Sequence, residues 1–571
     1  MIQKYFEEEL LYLYESGKEF ARIHPETARF LDIDAVGDRD PYVERLFEGF
    51  AFLSGRIRER LDDSFPELTE GLVNMLWPQF LHEIPSLSIV QFKPRKGHLQ
   101  GTRLLPRGSE LLSVPVGPDY VPCRFTTTQE IALNPLSLDF IKKSCDSNGR
   151  TELTLYFKVD RGVQWKKMQL DPLRIFIHAE HSTAVSLHEF ICRHVREAFL
   201  VIDENSHAIA QPQITGFSPL QSIVPDDPSE FRSKRLLLEY FVFPEKFLFF
   251  DITGINFSEL PESAGCTFSV RLNFDCEIPQ SKVIETGTFR LFCSPAVNLY
   301  VHDTEPVYNT GKKTEYAVKA DIRHRFSTVH SILNIDAFDR RTGKKITYSP
   351  GPVQLSDAPS FCTAYRKNFS GQRELYIRLS GNRAPDELPD ETLSIRAFCT
   401  EGLLPREELR EGSINTPGRD FPDFATFANI TRPTLPFLPP EDKDLLWVFL
   451  SQLSAVWSSF SSAESLRNQL SVYEWSGSRS MQRKIDSICE VNVKPAQSLF
   501  RGGLVRGVEF LISVQETGFP DPQELFLFGE VLREFLSRHI TINSFLLLSI
   551  KLTPSEMKFS WNSLDGKKWP I

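Results

Sequence analysis

Residues 40–77 read DPYVERLFEGFAFLSGRIRERLDDSFPELTEGLVNMLW. Val43, Leu46, Phe47, Phe50, Leu53, Ile57 and Leu61 recur at steps of three and four, which predicts an amphipathic helix. Asp40 before Pro41 supplies an N-cap acceptor followed by a first-turn proline. Asp62-Asp63 would close that helix poorly, since anions are unfavourable at a helix C-terminus. Ser64, with Glu67 three residues on, forms a capping box for a second helix. Leu68, Leu72, Met75 and Leu76 carry it to Trp77-Pro78, where the proline stops it. The stretch thus predicts two linked helices with a wide apolar face that needs a partner surface.

Outward from this stretch, residues 3–22 predict a further helix, with Phe6, Leu10, Leu13, Tyr14 and Phe20 on one face and Glu7–Glu9 in its first half. The texture changes at Pro85. Runs at 86–92, 124–133, 152–159, 173–180, 267–274 and 289–301 read as strands between Gly- and Pro-marked turns. A helix over 182–199 interrupts them, with Leu187, Ile191, His194, Val195 and Ala198 inward. The most apolar stretch, LLLEYFVFPEKFLFFDITGI at 236–255, breaks at Pro244 and reads as a buried hairpin or a strand–turn–helix. Short β-like runs continue to residue 400.

Prolines gather between 403 and 440, and TRPTLPFLPP there can only be extended, so this is the linker candidate. Helices over 441–460 and 462–474 follow. Strands are predicted at 482–490, 501–514 and 542–552, with a helix inside 524–540. The expected organisation is a multidomain α+β protein: a helical N-terminal region (1–84), a long β-rich middle of one or two domains (85–402), an extended linker (403–440) and an α+β C-terminal domain (441–571).

Composition narrows the function classes. A chain of 571 residues is several domain lengths. Its 41% hydrophobic content builds real cores and is far from a disordered composition. The net charge of −10 argues against nucleic acid as main partner, because phosphate binding needs concentrated basic charge. Cysteines at 123, 145, 192, 266, 276, 293, 362, 399 and 489 are odd in number and lack a CxxC pair, which fits free thiols in a reducing compartment. The opening MIQKYFEEEL lacks the basic and apolar regions of a signal peptide. Residues 445–463 carry no charge, but six serines and a glutamine make a poor hydrocarbon helix. A cytoplasmic location without membrane insertion is expected.

DPYVERLFEGFAFLSGRI with LDDSFPELTE, and YFEEELLYLYESGKEFARIHPETA before it, resemble the N-terminal signature of the TssF family (also VasA or ImpG), baseplate components of bacterial type VI secretion systems. PRGSEL (106–111), NPLSL (134–138), EYFVFPEKFLFFDI (239–252), FCSPAVNLY (292–300) and LFRGGLVRGVEF (499–510) extend the resemblance over most of the chain. It implies a structural subunit of a cytoplasmic baseplate wedge docked at the inner-membrane complex. Two copies would join one TssG, and the wedge would contact TssE, TssK and the VgrG hub. It also implies likeness to the wedge proteins of contractile phage baseplates.

Apolar stripes on the predicted helices nominate the partner-facing residues: Phe47, Phe50, Leu53, Ile57, Leu61, Leu446, Leu450, Leu453, Trp457 and Phe535. Catalytic chemistry finds no comparable support. Gly311-Lys312-Lys313 and Gly343-Lys344-Lys345 lack the rest of a P-loop, and GxGxxG and GxSxG are missing. Gly502-Gly503 reads as a turn rather than an anion nest. His178, His181, His188, Cys192 and His194 form the one cluster with metal-like spacing. His188 and Cys192, four apart, would share a helix face, but His194 is one residue too far for HExxH. No catalytic, cofactor or metal residue is assigned. The alternatives are a β-rich ligand-binding module and a metal-dependent hydrolase using the His178–His194 cluster.

Overall fold

The computed structural model describes residues 6–7, 9–14, 41–145, 149–163, 165–202, 205–224, 231–257, 267–321, 324–340, 342–351, 358–367, 373–380, 390–440, 448–451, 457–500 and 503–567. It is a mixed α+β chain rich in strand. Two compact units divide it: residues 1–81 with 441–450, and residues 82–440 with 451–571.

The smaller unit is built on one helix, α1 (Pro41–Leu76, 36 residues). It is continuous, not the two linked helices that Asp62-Asp63-Ser64 suggested. In mid-helix the acids meet no terminal dipole. Carrying the helix through Pro66 costs about 3 kcal/mol, whereas breaking and renucleating it costs about 4 kcal/mol at a nucleation constant near 10⁻³. A helical segment at 6–14 packs against one face of α1. The Tyr14 ring meets Phe47 edge-on at 5.9 Å, and the Ser54 hydroxyl donates to Glu9 Oε2 at 2.9 Å. Beyond α1, Trp77 and Phe80 enclose Phe449, with Phe80 and Phe449 stacked at 4.2 Å. All three rings are fully buried.

In the larger unit a six-stranded sheet takes the order 414–417, 110–116, 121–127, 293–297, 87–94 and 425–429. The expected linker is therefore not a linker: its strands Ile414–Pro417 and Ala425–Asn429 close both edges of this sheet. Ile414, Ala425 and Phe427 are buried there. The proline run then lies along residues 84–89. The N–H groups between its prolines do the bonding: Ile430 N to Ile89 O, Thr434 N to Leu87 O, and Phe437 N to Ile84 O, each 2.8–2.9 Å. Proline is tolerated at such edges because it needs only to accept.

A five-stranded antiparallel sheet (205–209, 195–202, 267–274, 151–159, 136–145) and a four-stranded one (213–214, 249–252, 173–177, 289–291) come next. Helix α2 (His181–His194) ends sooner than expected. Val195 opens a strand, so Val195 and Ala198 point inward from a sheet and not from a helix. The apolar run at 236–255 is the reverse of the expected order: helix α3 (Arg232–Val242), a 3-10 turn (Pro244–Phe247), then the strand Phe249–Ile252. Every residue from Ser233 to Val242 is buried, which erases the helical period that sequence reading relies on. An eight-stranded sheet drawn from 300–400 has its own core around Ile335, Ala337, Ile377, Leu393 and Ile395.

The C-terminal part holds α4 (Ala463–Ser471), α5 (Arg479–Asp486), α6 (Glu524–Ser537) and a five-stranded sheet. The strand expected at 482–490 begins only at Ile488; α5 precedes it, with Met481, Lys484 and Ile485 buried at helical spacing. Gly503–Gln515 and Phe545–Thr553 pair in parallel, which requires a crossover, and α6 supplies it.

Candidate assembly surface and the histidine cluster

The face of α1 that meets the 6–14 segment carries Phe47, Ala51 and Ser54. At 100° per residue, Tyr42, Leu46, Phe50 and Leu53 fall on the adjoining face within about 80° of one another. They are 77, 61, 61 and 60% exposed. Burying four such side chains is worth about 1.5–3 kcal/mol each, so this face is a strong gross source of association energy. Arg45 and Arg56 stand along one side of it, both exposed. An apolar strip bordered by charge is the usual form of a protein-binding helix.

Of the nominated residues, Phe50 and Leu53 lie on this strip. Phe47 is half-buried against Tyr14, and Leu450 is half-buried. The side chains of Ile57, Leu61, Leu446, Leu453 and Trp457 fall outside the described residues. Phe535 is a correction. It is wholly buried in α6, ringed by Phe460 at 5.6 Å, Tyr473 at 6.2 Å and His539 at 4.9 Å. A crossover helix is covered on several faces, so its stripe marks a core. Tyr42 escaped nomination although it stands four residues before Leu46 on the same stripe.

The histidines serve separate purposes. His188 is fully buried, its Nε2 3.3 Å from Phe249 O and 3.7 Å from Cys192 Sγ. Burial lowers its pKa to about 4 and raises that of the Cys192 thiol, so this pair is neutral and apolar in character. His181 Nε2 lies 3.1 Å from Glu524 Oε1, which also accepts from Lys484 Nζ at 2.5 Å. That contact ties α2, α5 and α6 together. His178 stands apart, lowered by burial and by Arg290.

His194, Asp275 and Cys276 offer donor atoms within 4.8 Å of one another. The geometry there favours a proton over a metal. His194 is held by Asp275 at 2.7 Å and Glu189 at 3.3 Å. Arg196 sits on Asp275 at 2.6 Å and Arg193 on Glu189 at 3.4 Å. Hydrogen bonding to Glu189, then to Asp275, raises the His194 pKa.

A profile of the family described as Type VI secretion system, TssF, matches residues 1–568. The chain belongs to the TssF family. Type VI secretion system component TssF1 of Pseudomonas aeruginosa is 26% identical over 99% of this chain and 98% of its own length. A chain of the TssK-TssF-TssG baseplate subcomplex, solved by cryo-electron microscopy, superposes with a TM-score of 0.78. It is 28% identical, over 92% of this chain and all of that one. A chain of a type VI secretion baseplate complex gives a TM-score of 0.67 at 30% identity over the full length of both. The TssF1 relative is thus similar from end to end. Among the described residues, no helix is long and apolar enough to cross a membrane.

Proposed function

We propose that this chain is a structural subunit of the type VI baseplate wedge that assembles with TssG and TssK, in two copies per wedge. Contacts with TssE and the VgrG hub, and cytoplasmic docking at the inner-membrane complex, belong to the same reading. Likeness to a chain solved within a TssK-TssF-TssG subcomplex supports the partners. The observation that carries the mechanism is the exposed strip Tyr42, Leu46, Phe50 and Leu53 on α1. Its role is controlled association: the strip buries against helices of a partner, and the charged flanks set the register.

The test is copurification with TssG. Phe50→Asp with Leu53→Asp places two charges where apolar burial is needed and should abolish the complex. Retained copurification would refute this assignment of the strip. The metal-dependent hydrolase reading gains nothing from His188 and Cys192, which are buried, neutral and bonded within the protein.

A further inference from the structure

Residues 431–440, TRPTLPFLPP, keep a period of three. Thr431, Thr434 and Phe437 bond inward to residues 84–89. The Thr431 hydroxyl accepts from Ile89 N at 2.8 Å and the Thr434 hydroxyl from Leu87 N at 3.0 Å. Phe437 and Ile84 exchange two backbone bonds of 2.8 Å. Pro433 and Pro439 are buried, while Arg432, Leu435 and Leu438 are exposed, the leucines by 51 and 50%. Three residues per turn is the period of a polyproline II helix, which makes no internal hydrogen bonds and which proline favours by fixing φ. At about 3.1 Å per residue, the outer ridge Arg432–Leu435–Leu438 runs about 19 Å.

The charge of this ridge indicates what it meets. Arg432 Nη2 donates to Arg406 O at 2.8 Å, and Arg406 Nη1 to Pro433 O at 3.0 Å, so backbone carbonyls fix the basic end. The charges that bear on Arg432 are Arg406 and Arg410, both of its own sign. Glu407, Glu408 and Glu411 are exposed on the neighbouring turn, and Arg432 forms no ion pair with them or with any other described residue. A carboxylate brought by another chain would meet an unpaired guanidinium there. The leucines ask for apolar cover, and a ridge already held in its extended form binds without the cost of ordering it. Such segments dock in aromatic-lined grooves. A free Pro-rich ligand presents its prolines; here two of the prolines turn inward and the leucines take their place.

We propose that the ridge Arg432–Leu435–Leu438 docks into a second protein of the assembly, in an apolar, aromatic-lined groove with a carboxylate at the Arg432 end. The inference rests on the assembly reading for the choice of partner. It adds a contact in the larger unit, separate from the α1 strip.

The experiment measures binding of the full chain to the purified TssK-TssG complex by biolayer interferometry. Leu435→Ser with Leu438→Ser should weaken binding at least about tenfold. Arg432→Gln should weaken it about threefold and flatten its salt dependence. Thermal unfolding should stay as in wild type, because all three side chains are exposed. In the wild-type chain, amide exchange at Leu435 and Leu438 should slow on complex formation, a readout that needs no variant. A wild-type chain that does not bind would refute the assembly reading and this inference with it. Where wild type binds, unchanged affinity in the double-leucine variant, or unslowed exchange at both amides, overturns the ridge assignment alone. A dimer of the free wild-type chain that the leucine substitutions dissolve also overturns it, since a second copy would then be the occupant.

Discussion

His194 is the residue whose protonation the fold controls most visibly. Its pKa is raised from 6.5 by Glu189 and Asp275. A raised histidine stabilises fully below its unfolded pKa, and that contribution is lost as pH rises through the folded value. Stability should therefore be lower at a pH well above 6.5 than at a pH below it, by less than about 1 kcal/mol because the site is half-exposed. Glu401, buried and pushed up to about 7, titrates in the same range and with the same sign. The measurement is therefore the difference between wild type and His194→Gln in urea midpoint at the two pH values. Equal pH dependence in both would show that the ion-pair cluster is energetically silent. Packing sets a second residue-scale expectation. A Cβ at Gly529 of α6 would stand 2.1 Å from the Trp561 ring, which is buried. Gly529→Ala should destabilise by about 1–3 kcal/mol through overpacking, despite the better helix propensity of alanine. A denaturation midpoint equal to or above wild type would contradict it.

At the scale of elements, the informative case is residues 403–440. Asn429 pins its two strands together. Its Oδ1 accepts from Ile414 N at 2.8 Å, and its Nδ2 donates to Arg410 O and Thr431 O at 2.9 and 2.8 Å. Asn429→Ala leaves buried backbone groups without partners and should cost about 2–4 kcal/mol. Faster amide exchange at Ile414 than in wild type would localise the loss; unaltered exchange would show the strand is held by other contacts. Proline counting could not foresee this segment, because prolines remove donors without saying what the residues between them bond to. The strand Thr267–Phe274, by contrast, was legible to the residue, since Phe268, Val270, Leu272 and Phe274 alternate and all four are buried. Helix α3 was misread for the opposite reason: burial on every side leaves no period to detect.

At the scale of the whole molecule, the two units have different uses for apolar surface. The larger unit buries its core in sheets and in helices covered all round, as Phe535 shows. The smaller unit leaves the Tyr42–Leu53 strip open. Mass by light scattering of the chain coexpressed with TssG should give two copies of this protein per TssG. In the Phe50→Asp, Leu53→Asp variant the complex should be lost while the melting of the larger unit stays as in wild type. A wild-type mass of one copy per TssG would refute the stoichiometry, and a lowered melting temperature of the larger unit would mean the substitutions act on folding.

Local order came from local pattern: the α1 stripe, the alternating strands and the family text could all be read from neighbours in the chain, because helical and strand periods are properties of a dozen residues. The tertiary structure alone decided which stripes face water and which face protein. Phe50 and Phe535 carry the same sequence signature, and one is exposed while the other is enclosed by Phe460 and Tyr473. It alone decided that Phe427 pairs with Phe92, and that charges as distant as Arg107 and Lys567 line one cavity. Such partners are chosen by three-dimensional packing across hundreds of residues, and no period within a window records that choice.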